Sequence, residues 1–166
     1  MVQTLLNRLL QMLILLVLQA LICNHVHIMG YATPIIQVLF VAWMPLNSNR
    51  TGNLVWAFAL GLLLDMFANT PGISAASLTL TAMVQYSLVH MMAPKDAVDD
   101  MVPNYGSMGV WNYIQYLALL TAVHHLMYFV LEFFSFSNPL DMLLSLLTSV
   151  LLSLLIMLTL ETMRNR

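Results

Sequence analysis

The sequence predicts an all-α membrane protein, a compact bundle of six transmembrane helices in a single domain over residues 1–166. Three observations carry that prediction. Hydrophobic residues make up 61% of the 166 and charged residues only 7%, with a mean hydropathy of +0.87, whereas soluble domains are about 45–50% apolar. A water-soluble core of this length has no room for so much apolar surface; lipid accepts apolar side chains all round a helix once the backbone groups bond within it. The apolar residues also fall into runs close to the roughly 17–25 residues that cross a bilayer. Finally, the runs are parted by clusters of Pro, Gly, Asn and Ser, with no internal repeat.

The first run, residues 5–23, is dense in leucine and interrupted by Gln11 and Gln19. Arg8 followed by about 15 apolar residues has the look of a signal peptide, but Gln19-Ala-Leu-Ile-Cys23 offers no small-x-small cleavage site, so an uncleaved span is expected. The second span, about 28–44, contains Pro34 and closes at Pro45; Pro34 removes a backbone donor and is expected to kink the helix or mark its real start. Asn47-Ser-Asn-Arg-Thr-Gly52 is a polar turn, and a short third span covers about 54–68. Thr70-Pro71-Gly72 reads as an N-cap with proline at the first helical position, opening a fourth span over about 72–92. So short a connection makes the third and fourth spans an antiparallel hairpin. Residues 94–108 form the one long polar loop, holding Lys95, Asp96, Asp99 and Asp100. The fifth span, about 111–134, starts among Trp111, Tyr113 and Tyr116 and ends at Phe133, Phe134 and Phe136, aromatics that favour membrane interfaces. Asn138-Pro139 starts the sixth, about 139–162.

Six spans place Arg8, Arg50, Lys95, Arg164 and Arg166 all on one side, which predicts cytoplasmic termini in a bacterial inner membrane. Asn49-Arg-Thr51 then lies on the cytoplasmic side and reads as a chance glycosylation match. A net charge of −2 with no basic run argues against nucleic acid. The single Cys23 excludes an intrachain disulfide framework. Phosphate loops, Walker lysines, cysteine pairs and serine nucleophile motifs are missing from the sequence, so no enzyme and no cofactor is expected.

The candidate site residues are the polar ones that the spans carry into lipid. An ionised Asp at a helix centre costs about 2.5–3.5 kcal/mol on insertion scales, less near an end where it finds a partner. Asp65 is therefore expected either to accept backbone N–H groups at the start of the next helix, near residues 70–73, or to dock a partner; an ion or proton site is the remaining alternative. Ala57, Gly61 and Asp65 share one face, a ledge of small residues that lets helices approach closely. His124, His125, Tyr128 and Glu132 form a polar stripe on the fifth span. Adjacent histidines point about 100° apart and cannot chelate one metal as an i, i+4 pair does, so interhelical hydrogen bonds, to Asp65 or Gln19 for instance, are expected. Asp141, Ser145, Ser149 and Ser153 make a second stripe at four-residue spacing, a close-packing face for the bundle or for another protein's helix. His25, His27 and His90 are expected at interfaces.

A first helix with Gln19, a second with Pro34 and Pro45, then Gly61-Leu-Leu-Leu-Asp65 followed by Gly72 resembles the bacterial rod shape-determining MreD family in length and topology. Many relatives carry an Arg-Pro-Asp near the second span, where this chain reads Ala32-Thr-Pro34-Ile-Ile. The resemblance implies a non-enzymatic inner-membrane component of the machinery that elongates the lateral cell wall. Its implied partners are MreC, the actin-like MreB, and the glycan polymerase and transpeptidase of that complex. The implied fold is similar to the substrate-binding subunits of energy-coupling-factor transporters. On that expectation the chain is a scaffold, with Asp65 fixing the hairpin at the outer surface and the Asp96–Asp100 loop facing cytoplasmic partners. The alternative is a vitamin-like ligand-binding subunit of a transporter, lined by Gln19, Gln37, His124 and Tyr128. An intramembrane hydrolase would need a catalytic dyad that these residues do not supply.

Overall fold

The computed structural model describes residues 2–22, 33–46, 49–93, 101–132 and 139–164; among these the regular structure is helical, with no strand. α1 spans Val2–Val17 and continues as a π turn over Leu18–Ile22. α2 is Val38–Ala42, α3 Arg50–Ala68, α4 Ile73–Met92, α5 Tyr105–Met108, α6 Val110–Glu132 and α7 Pro139–Arg164. Three helices are long and apolar enough to cross a membrane by length and composition: α3, α6 and the Leu143–Arg164 part of α7. The chain is thus an all-helical protein with the character of a membrane protein.

α3 packs along α4, α4 along α6 and α6 along α7, while α1 lies against α3. The long helices α3 and α7 each present one face inward at three- and four-residue spacing. On α3 that face is Asn53, Ala57, Leu60, Gly61, Leu64 and Asp65; on α7 it is Ser145, Ser149, Ser153, Met157 and Glu161, four apart throughout. The opposite faces are oily: Leu6, Leu10 and Leu13 of α1, Val55, Phe58 and Met66 of α3, and Leu147, Leu151 and Leu155 of α7 are exposed. In water each would forgo the roughly 25 cal/mol per Å² gained on burial; in lipid they are solvated.

The middle of this bundle differs from the expected second span. Residues 33–36 are extended and only Val38–Ala42 is helical, yet every residue from Pro34 to Ala42 is buried. Pro34 lacks an N–H and its ring disfavours a helical residue before it. The chain therefore enters the bundle extended and coils only once past it. Residues 28–32 lie outside the described residues.

Two other elements start elsewhere than the sequence suggests. α3 begins at Arg50, inside the expected polar turn, because the Asn49 side chain accepts the Thr51 N–H at 3.2 Å and caps it. α4 begins at Ile73 behind a Gly72 N-cap, with Thr70 and Pro71 left in the turn. Cys23, His25, His27, residues 94–100, Phe133, Phe134, Phe136, Arg166 and the side chain of Asp141 lie outside the description.

Candidate functional site

Buried backbone N–H and C=O groups need partners, and residues 33–46 find theirs on several sides. Extended backbone offers successive groups to opposite flanks. On one flank, α7 receives the Thr33 N–H on Ser149 Oγ at 3.0 Å and the Ile35 N–H on Ser153 Oγ at 2.8 Å. On the other, Gln19 in the π turn donates from Nε2 to the Pro34 carbonyl at 3.1 Å and accepts the Ile36 N–H on Oε1 at 2.8 Å. Ser145 is buried on the same face of α7 as Ser149 and Ser153.

The histidines extend this clamp. The Thr121 carbonyl can only accept, so His125 Nδ1, 2.9 Å away, carries the proton. His125 Nε2 then accepts from the Ser153 hydroxyl at 3.1 Å, whose oxygen is holding the Ile35 N–H. For His124, the Thr81 hydroxyl is committed to the Ser77 carbonyl at 2.6 Å and so accepts from Nδ1–H at 3.2 Å. His124 Nε2 is left to accept the Gln37 amide at 3.0 Å. This network assigns both rings as neutral imidazoles with both nitrogens engaged, their planes 82° apart. Their partners are Gln37, Thr81 and Ser153, in place of the expected Asp65 or Gln19. Among the described residues no group of three His, Cys, Asp or Glu is placed to hold a metal.

The far end of the segment is held by its carbonyls. Tyr116 Oη donates to the Ala42 carbonyl at 3.3 Å, Gln85 Nε2 to Met44 at 3.0 Å and Asn53 Nδ2 to Pro45 at 3.4 Å. Trp43 Nε1 donates to Glu161 Oε2 at 2.7 Å, and Arg164 Nη2 meets Glu161 Oε1 at 2.7 Å while its guanidinium lies 4.7 Å from the Trp43 ring centroid. Glu161 is fully buried.

At the opposite end, Asp65 closes the α3–α4 hairpin. Its Oδ1 accepts the Ser74 N–H at 2.8 Å and the Thr70 hydroxyl at 2.9 Å, and its Oδ2 accepts the Ala75 N–H at 3.0 Å. The carboxylate, 5% exposed, thus caps the next helix from outside it, where the helix dipole favours a negative charge. With these N–H groups taken, Thr70 turns its hydroxyl to Asp65 instead of capping, and Gly72 supplies the positive φ of 85° that the turn needs. Gly61 makes the approach close enough: a Cβ there would lie 2.7 Å from both the Ala75 nitrogen and the Ser74 carbonyl oxygen.

No protein family, curated protein or solved structure matches this chain. The site stands on its own geometry. Tyr128 lines a small polar cavity of about 20 Å³ with Gln19, Gln37 and Ser74, room for a single water. Glu132 lies exposed at the last residue of α6. The residues that sequence reasoning passed over are Trp43, Asn53, Thr81, Gln85 and Glu161. Glu161 had a signal, since it continues the four-residue stripe of Ser145, Ser149 and Ser153 by two further steps. The others lie singly within or beside apolar runs, and each bonds at least one group on another segment of the chain: Glu161 for Trp43, Arg8 for Asn53, His124 for Thr81 and Met44 for Gln85.

Proposed function

We propose that the chain is a non-enzymatic scaffold of the bacterial cell-wall elongation complex, an MreD-like protein that maintains cell shape by binding partner membrane proteins. In this proposal it crosses the inner membrane six times with both termini cytoplasmic. MreC is the first partner, followed by MreB and the glycan polymerase and transpeptidase pair. One observation carries the reading. The polar side chains inside the bundle, Gln19, His124, Ser149, Ser153 and Asp65 among them, are bonded to backbone or to one another. They build a rigid body and leave its outside and its ends for other proteins.

The six crossings draw support from chain direction. Arg8 bonds Asn53 near the start of α3, and Arg164 at the end of α7 stacks on Trp43. Gln19, Ser149 and the Asp65 turn lie toward the other end, so α1, residues 33–46, α3, α4, α6 and α7 alternate in direction. Arg8, Arg50 and Arg164 gather at one end, as the positive-inside rule asks of a cytoplasmic face.

The residues expected to line a ligand pocket, Gln19, Gln37 and Tyr128, border a space of only about 20 Å³, much less than a vitamin needs. The deciding experiment is gene deletion in a rod-shaped host combined with affinity capture from solubilised membranes. Rounded cells, rescued by the intact gene, and capture of wall-elongation proteins are the expected results. Rod-shaped deletion cells with none of those proteins captured would end the proposal.

A further inference from the structure

We propose that the groove between α1 and residues 40–45 at the arginine-rich end, closed by Arg164 at the end of α7, is a binding site for the phosphodiester headgroup of an anionic membrane lipid. The groove has a volume of about 270 Å³, and its polar lining is Gln3, Asn7, Arg8 and Gln11 of α1, with Trp43 and Arg164 beside them. Guanidinium groups are the side chains best shaped for phosphate oxygens. Basic pockets between membrane helices on the cytoplasmic side are where anionic headgroups are held.

Both cations are positioned in advance. Arg164, 31% exposed, is fixed by Glu161 Oε1 at 2.7 Å and by the Trp43 ring, which leaves its other N–H groups free to face the groove. Arg8 donates one hydrogen bond to Asn53 Oδ1 at 3.2 Å, and no carboxylate among the described residues lies within ion-pair distance of it. Two arginines against Glu161 leave one net positive charge, the complement of a phosphodiester monoanion. The amides of Asn7 and Gln11 suit the hydroxyls of a glycerol headgroup. A membrane source fits better than a soluble phosphate because the groove residues of α1 are interleaved in sequence with exposed leucines, Leu6, Leu9 and Leu10 among them. Acyl chains lying along those leucines bring a headgroup to the two arginines.

Native mass spectrometry of the full chain, released from neutral detergent after incubation with dioleoyl phosphatidylglycerol, dioleoyl phosphatidylcholine or soluble glycerol phosphate, tests this. Phosphatidylglycerol is expected to stay bound at least about fivefold better than phosphatidylcholine, the scale of one arginine at a membrane surface. Arg8→Gln and Asn7→Asp should each remove that preference, while Arg50→Gln, on the separate cavity between α3 and α4, should keep it. Asn7 is exposed, so its variant decides the matter even where Arg8→Gln fails to fold. Equal retention of the two lipids, a preference unchanged in Asn7→Asp, or glycerol phosphate binding as well as the lipid would each overturn the proposal.

Discussion

Gly61 and Asp65 stand one turn apart on α3 and act on the same two residues of α4. The glycine removes the side chain that would strike Ser74 and Ala75, and the carboxylate then reaches their N–H groups at 2.8 and 3.0 Å. Because both depend on one close approach, their effects are coupled and should not add. Gly61→Ala forces a methyl against backbone that cannot rotate away, and overpacking of that kind costs about 1–3 kcal/mol. Asp65→Asn keeps one acceptor but turns an NH₂ toward an N–H donor; a lost hydrogen bond to a charged group is worth about 1.5–3 kcal/mol. Equilibrium unfolding in mixed micelles should show both losses, with the double variant less destabilised than their sum. Asp65→Asn unfolding like the parent protein would refute the capping role.

Among elements, the buried stretch of residues 33–46 gives the sharpest contrast. Ser149 and Ser153 look alike on α7, yet Ser149→Ala frees one backbone N–H whereas Ser153→Ala also strips His125 Nε2 of its donor. Hydrogen bonds between membrane helices average about 0.6 kcal/mol, but an orphaned buried group costs about 1–3 kcal/mol. The second figure governs here, since the Ile35 N–H is walled off from water. Ser153→Ala is expected to lower stability by about 2 kcal/mol and Ser149→Ala by about 1, measured in the same micelles; equal losses would contradict the relay through Ser153. The long outer helices were legible in the sequence because their apolar runs and turn signals are local. The inner stretch was not. Ile35, Ile36 and Val38–Ala42 are as apolar as a lipid-facing helix, and the groups that hold the stretch extended lie 15–17 residues away on Gln19 and 116–118 away on the α7 serines. Only Pro34 hinted at a break. In the same way the Asp65 cap was readable from its place before a turn, whereas the partners of His124 and His125 depended on which helix lies opposite.

For the molecule as a whole, the proposed sidedness rests on where the arginines collect. Reporter fusions after residue 50 should read as cytoplasmic and fusions after residue 69, in the α3–α4 turn, as external. The reverse pattern would invert the map and move the proposed headgroup groove to the outer leaflet. Trp43→Phe adds a test of how this end is held: it removes the indole N–H at Glu161 while sparing the arginine, and should cost about 1–3 kcal/mol in unfolding titrations.

The serines that pin Thr33 and Ile35 belong to α7, 116 and 118 residues later in the chain. A ribosome making this protein therefore finishes the keystone early and its mortar late. Until α7 emerges, those two amides wait without their serines. A nascent chain stalled before α7 lacks both acceptors and leaves that stretch of backbone half held.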